Sequence, residues 1–188
     1  MSIRVILASS SPRRRELLEN AGLKFEVITS PAKEVHDASI PLEELCELNA
    51  GLKAEAVATQ HSDAVVIGSD TLVYIDETPL GKPADLVEAR AMLRQLSGRT
   101  HQVCTAVCIM QQGGEKRLFN DTTEVCFKTL EDADIEAYIQ KANALDKAGA
   151  YGIQEHGELI IEAIEGRFDT VMGLPVELVL EALEGFRA

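Results

Sequence analysis

The chain has 188 residues, 46% of them hydrophobic, and a formal net charge of −13 at pH 7. That length and apolar content suit a single domain over 1–188, with room for two lobes around a central cleft, and exclude a disordered chain. The acidic balance excludes a broad nucleic-acid-binding face, which needs basic charge, but leaves room for a small polyanion in a local basic pocket.

The first apolar run, Arg4 to Ser9, predicts a buried strand. A helix follows, with Ser11 as its N-cap, Pro12 at its first position and Gly22 at its C-terminal end. Phe25 to Thr29 predicts a second strand, and "SPAKEVHDASIP" a polar connection. Pro41 opens a long helix to about Thr59, with an apolar stripe of Leu42, Leu45, Leu48, Leu52 and Ala56. "AVVIG", Ala64 to Gly68, predicts a buried strand, and Leu72 to Ile75 continues the extended region. "ETPLGKPAD" reads as a loop. Asp85 and Glu88 have capping-box spacing for a helix that Gly98 ends, with Met92, Leu93 and Leu96 on its apolar face. Thr100 to Gln111 and Arg117 to Thr129 predict a hairpin around "QGGEK". Thr129 and Asp132 are candidate caps for a helix through Lys141. "DKAGAYGIQEHG" is glycine-rich and irregular, "ELIIEAIEG" predicts a strand, and Pro175 to Glu184 a final helix. The order of elements predicts an α/β or α+β fold with a mixed sheet.

No apolar run reaches the roughly 18–20 residues of a membrane span, and no export signature opens the chain, so no membrane association and a cytoplasmic location are expected. Cys46, Cys104, Cys108 and Cys126 form no CxxC pair, and a disulfide framework is not expected. Cys104 and Cys108 read as small core residues of a strand.

Three arginines, Arg13, Arg14 and Arg15, occupy the first turn of the first helix. The macrodipole disfavours cations there. An anion at the turn would reverse that penalty, meeting backbone N–H groups, serine hydroxyls and guanidinium forks together. The alternative is a solvated basic patch paired with Glu16 and Glu19. A helical turn fans the arginines over more than half the circumference, so they cannot all share one ligand, and Arg15 is assigned to solvent. Asp70 stands in an apolar run, either as a buried carboxylate with a function or in a turn, Gly68 to Asp70, joining two strands. Asn49 and Lys53 edge onto the apolar face of the long helix, and Lys82 lies in the "LGKP" loop. Several cations and one carboxylate are what phosphoryl chemistry needs. No Walker A, GxGxxG or GxSxG pattern occurs.

The segments "LASSSPRRRELL", "GSDT", "GKP", "LSGRTHQVCTAV", "DKAGAYGIQ" and "VMGLP", in that order from Leu7 to Pro175, resemble the Maf family of nucleoside triphosphate pyrophosphatases. The resemblance implies an α/β fold with an elongated mixed β-sheet flanked by helices, related to inosine triphosphate pyrophosphatases, and a homodimer. It implies cleavage of a nucleoside triphosphate to the monophosphate and pyrophosphate, a divalent cation (magnesium or manganese), and a place in nucleotide-pool sanitation. By position, Ser9, Ser11, Arg13 and Arg14 would line the phosphate side of a cleft. Glu34 would be a metal ligand, and Asp70 the proton acceptor for the attacking water and a second group near the metal. Lys53 and Lys82 would complete the catalytic set. One branch of the family prefers dTTP and UTP; another resembles 7-methyl-GTP pyrophosphatases. Arg13, Thr71 and Gln154 match the first branch, and Thr71 and Gln154 would help read the base. Gln154 carries both donor and acceptor, which suits a pyrimidine edge. Ser69 and Lys33 depart from the frequent family pattern, and Ser69 is shared with the second branch. The competing expectations are a 7-methyl-GTP pyrophosphatase and a nucleotide-binding regulator of septum formation with little turnover.

Overall fold

The computed structural model describes residues 3–37 and 39–187. In chain order the elements are β1 (Arg4–Leu7), α1 (Pro12–Asn20), β2 (Glu26–Val27), α2 (Leu42–Ala58), β3 (Ala64–Ile75), β4 (Thr78–Leu80) and α3 (Leu86–Leu96). They continue with β5 (Thr100–Gln111), β6 (Lys116–Phe127), α4 (Asp132–Lys141), β7 (Ile161–Glu165), α5 (Phe168–Met172) and α6 (Val176–Glu184). Among the described residues the strands form one seven-stranded sheet in the order β2-β1-β3-β5-β6-β7, with β4 beside β3. Strand β1 is parallel to β2 and β3, whereas β4 runs antiparallel to β3 and β7 antiparallel to β6, so the sheet is mixed as expected. No helix among the described residues is long and apolar enough to cross a membrane.

The chain divides into two compact units. One comprises Met1–Thr71, Thr105–Asp121 and Gly173–Ala188; the other comprises Leu72–Cys104 and Thr122–Met172. In the first, β1 and the start of β3 are buried along their length, which is why they read as unbroken apolar runs. Val5, Leu7, Val65, Ile67, Val107 and Ile109 pack with Leu18 of α1 and with Leu174, Val179 and Leu183. Helix α1 begins as its sequence dictates: Ser11 caps it and Pro12 occupies its first turn. Gly22 follows its end with φ 73°.

Helix α2 corrects the expected stripe. Its buried residues are Leu45, Cys46, Asn49, Ala50, Gly51, Ala54, Val57 and Ala58, and Leu48 is 40% exposed. The cause is backbone proximity. A Cβ on Gly68 of β3 would lie 2.4 Å from the Ala50 carbonyl oxygen and 2.6 Å from the Ala54 nitrogen. Only a face of small residues approaches a strand that closely, so the leucine-rich stripe turns partly outward.

In the second unit Val73, Ile75, Leu93, Leu96, Val103, Phe127, Ile135, Tyr138, Tyr151 and Ile160 form the core. Asp85 caps α3 by accepting from the Val87 and Glu88 amides. The cap of α4 is Glu131, in a reciprocal box with Asp134, rather than Thr129 or Asp132. The expected loop over 77–85 contains β4. Asp76 and Glu77, with φ 50° and 59°, form a tight reversal that folds Thr78–Leu80 back onto β3. Two acidic residues conceal a turn that Asn-Gly would have advertised. The strands β2 and β7 are shorter than expected, and α5 was not anticipated.

His101, 2% exposed, meets the Tyr151 hydroxyl at 2.7 Å through Nε2 and packs edge-on against Tyr151 and Phe127. Its Nδ1 has no hydrogen-bond partner. Burial pushes the imidazole pKa down to about 4 from 6.5, so the fold holds it neutral.

Two outcomes are expected. The unfolded chain protonates His101 near pH 6.5 and the fold near 4, so this stability is complete above pH 6.5 and is lost as pH falls. Urea midpoints compared at pH 7 and pH 4.5 should show His101→Gln losing roughly 2–3 kcal/mol less than the parent chain. Equal losses would remove His101 as the source. Separately, Gly68→Ala should cost about 3 kcal/mol or more in urea unfolding, because its Cβ would meet backbone rather than a movable side chain.

Candidate active site

Asp70 lies within β3, a continuous twelve-residue strand, so the alternative of a turn joining two strands is not what forms. Its carboxylate is buried, 5% exposed, and a buried charge needs a partner. Helix α2 supplies one. Lys53 Nζ donates to Asp70 Oδ1 at 2.6 Å and pairs with Glu34 Oε1 at 2.7 Å. One ammonium is thus shared by two carboxylates, Asp70 buried and Glu34 half-exposed. The Lys53 side chain is itself mostly buried, so its ammonium is held by the two acids rather than reaching for water.

Glu34 sits in the connection between β2 and α2, and Asn49 holds it in place. The Asn49 Oδ1 accepts from the Val35 amide at 2.8 Å, and its Nδ2 donates to the Val35 carbonyl at 3.1 Å. Asn49 and Lys53 are one helical turn apart, so a single face of α2 fixes the loop and binds its acid.

Arg14 organises the other side of Asp70. Its Nε donates to the Gly173 carbonyl at 2.8 Å, Nη1 to the Ser69 carbonyl at 3.0 Å and to Ser9 Oγ at 3.3 Å, and Nη2 to Thr71 Oγ1 at 2.9 Å. Both residues flanking Asp70 are therefore tied to one guanidinium. Burial lowers the Arg14 pKa, and the Asp70 charge opposes that shift. Ser69 Oγ donates to the same Gly173 carbonyl at 3.1 Å, and Thr71 Oγ1 lies 3.0 Å from Thr105 Oγ1. Gly173 has φ 111°, and a Cβ there would lie 3.3 Å from both Arg14 Nε and Thr71 Oγ1.

Ser9 Oγ accepts from the Ser11 amide at 3.2 Å, and Ser11 Oγ caps the Arg14 amide. Arg13 is half-buried on the same first turn and makes no ion pair or side-chain hydrogen bond among the described residues. Arg15 points to solvent and pairs with Glu19 at 2.6 Å. The arginine triplet thus separates into one braced, one uncommitted and one surface cation.

The first unit brings together Ser9, Ser11, Arg13, Arg14, Glu34, Lys53, Asp70 and Thr71. Lys82 and Gln154 belong to the second unit, both exposed. Sequence reasoning gave no role to Gly173 or Thr105. Their signals were slight: a glycine before Leu-Pro, and a threonine within an apolar strand.

The donor set fits a hard divalent cation. Glu34 and Asp70 offer carboxylate oxygens, the donors such a cation prefers, already converging on the Lys53 ammonium. Among the described residues no group of three or more His, Cys, Asp or Glu side chains could enclose a metal. A two-carboxylate site suits magnesium, which keeps waters and takes further oxygens from phosphates.

A model of the family described as "Maf-like protein" matches residues 4–186. The dTTP/UTP pyrophosphatase of Akkermansia muciniphila is 54% identical over 181 residues, covering 96% of this chain and 95% of the relative. Those of Bacillus velezensis and Deinococcus radiodurans are 49% and 48% identical, covering 99% and 97% of this chain and 98% and 92% of the relatives. Among solved structures, the Staphylococcus aureus Ham1 protein is similar in fold, with TM-score 0.54 at 17% identity, covering 97% of this chain and 98% of that one. With a family match across nearly the whole chain and full-length relatives near half-identical, the protein belongs to the Maf family.

Proposed function

We propose that this protein hydrolyses dTTP and UTP to the monophosphate and pyrophosphate. The observation that carries the reading is Asp70: a buried carboxylate in mid-strand, held by Lys53 and by the Arg14 bonds to both its neighbours. Full-length relatives named dTTP/UTP pyrophosphatase support the substrate.

In this reading a water oxygen bonds to phosphorus as the P–O bond between the α and β phosphates breaks. With attack at the α phosphorus, the leaving pyrophosphate keeps the bond's electron pair, and the water's proton passes to Asp70, then to solvent. Arg13 is the uncommitted cation that meets phosphate oxygens with the Ser9–Ser11 turn. Arg14 adds charge from behind while holding Ser69 and Thr71. Glu34 and Asp70 would hold a magnesium or manganese ion, which supplies charge neutralisation at the phosphate oxygens. Lys53 and Lys82 would add positive charge to offset that of the phosphates. Thr71 and Gln154 read the base. Nucleotide-pool sanitation in the cytoplasm, by a homodimer, completes the reading.

A panel of dTTP, UTP and 7-methyl-GTP at equal concentration, with pyrophosphate release measured, should show the pyrimidine substrates turned over fastest. Faster 7-methyl-GTP turnover would sink the Gln154 argument, and no turnover of any triphosphate would favour a binding regulator. Asp70→Asn should lower kcat by about 10²–10⁴-fold; an unchanged kcat removes Asp70 as proton acceptor. Lys53→Met should lower kcat/KM by about 10²-fold or more. It should also strengthen manganese binding to the nucleotide-free protein, read from the signal of free Mn²⁺ by electron paramagnetic resonance. Weaker manganese binding would exclude the Glu34–Asp70 pair as the cation's ligands.

A further inference from the structure

Lys147 is only 3% exposed, an uncommon position for a lysine. Its ammonium meets Asp146 Oδ1 at 2.6 Å, Glu155 Oε2 at 2.7 Å and the Asn143 carbonyl at 2.7 Å. Three donors therefore have three acceptors. Its stem lies directly against Gly152: a Cβ there would fall 2.7 Å from Lys147 Cε and 2.9 Å from Cδ. The Gly152 amide donates to the buried Tyr138 hydroxyl at 2.9 Å. The Glu155 amide closes back onto the Gly152 carbonyl at 3.1 Å, and Glu155 Oε2 also accepts from the Asn143 amide at 3.3 Å.

These contacts describe a short turn, 152–155, held at both ends. Lys147 and Tyr138 fix Gly152, and the Lys147 ammonium fixes Glu155. Gln154 stands between the two anchors with its side chain exposed. Space-filling alone does not explain a lysine. A methionine would fill the channel without the desolvation cost of a charge, but it could not grip Glu155. Gly152 is required for the same reason, since any side chain there would displace the stem.

We propose that Lys147 is a positioning residue for base recognition. It acts through Gln154 by fixing both ends of the turn that presents the amide to the pyrimidine. The inference rests on the reading of Gln154 as the base-contacting residue.

The test compares Lys147→Met, Gln154→Ala, the double variant and Glu155→Gln, using dTTP and dCTP as substrates with circular dichroism confirming the fold. Lys147→Met should raise KM for dTTP about tenfold, as expected for loss of one well-placed hydrogen bond, with kcat within about twofold. It should also reduce the preference for dTTP over dCTP, and the double variant should be no worse than Gln154→Ala. Glu155→Gln keeps the shape and removes one charge. It should move KM and the preference in the same direction by a smaller factor, and it carries the test if Lys147→Met does not fold. Unchanged KM and preference in a folded Lys147 or Glu155 variant would overturn the proposal, as would effects that add to those of Gln154→Ala. If Gln154→Ala itself leaves KM and preference unchanged, the base-reading role of Gln154 fails, and the positioning role fails with it.

Discussion

The site depends on one ammonium between two carboxylates. Burying Asp70 in the middle of β3 is costly unless its charge is met, and Lys53 meets it from α2 while also taking Glu34 from a loop. The pair joins a strand, a helix and a connection in a single ion triplet. Breaking such a buried pair from one side costs about 3–5 kcal/mol, because the remaining charge is left uncompensated. The structure therefore holds two acids together by placing a single ammonium between them.

Arg14 does comparable work with neutral partners. A guanidinium carries five N–H groups in a fixed plane, and here the plane ties the Ser9 turn, both neighbours of Asp70 and the Gly173 carbonyl. Lysine could not span these acceptors. The adjacent arginines do different jobs because one helical turn points them in different directions. A run that looks redundant in the sequence is thus three separate devices.

Local features were the legible part of the chain. The strand-to-helix turn at Ser11–Pro12, the Asp85 cap, the β5–β6 hairpin and the burial of Cys104 and Cys108 all follow from patterns within a few residues. The family motifs pointed to Asp70, Lys53 and Glu34, which the fold brings into contact. Features set by distant partners were not legible. The face of α2 is decided by Gly68, and β4 hides behind an acidic turn. Arg14 reaches Gly173 across 159 positions of sequence. Lys147 received no separate reading within the irregular stretch "DKAGAYGIQEHG"; its burial follows from how that stretch folds around Gly152, not from a periodic pattern.

The contact of Gly68 with α2 bears on how rigidly the site is held. Asp70 lies two residues beyond Gly68 on the strand, and Lys53 is the residue before Ala54, whose amide and Cβ press on that glycine. The join is backbone against backbone, with no rotamer between the two elements to flex. The backbones of Asp70 and Lys53 are consequently carried on one stiff block, their separation set by main-chain packing. Glu34 is mounted differently: it enters from a connection whose Val35 backbone is tied to Asn49, and its carboxylate meets Lys53. Asp70 therefore keeps its place relative to α2, whereas Glu34 meets the same lysine from a connection outside that block.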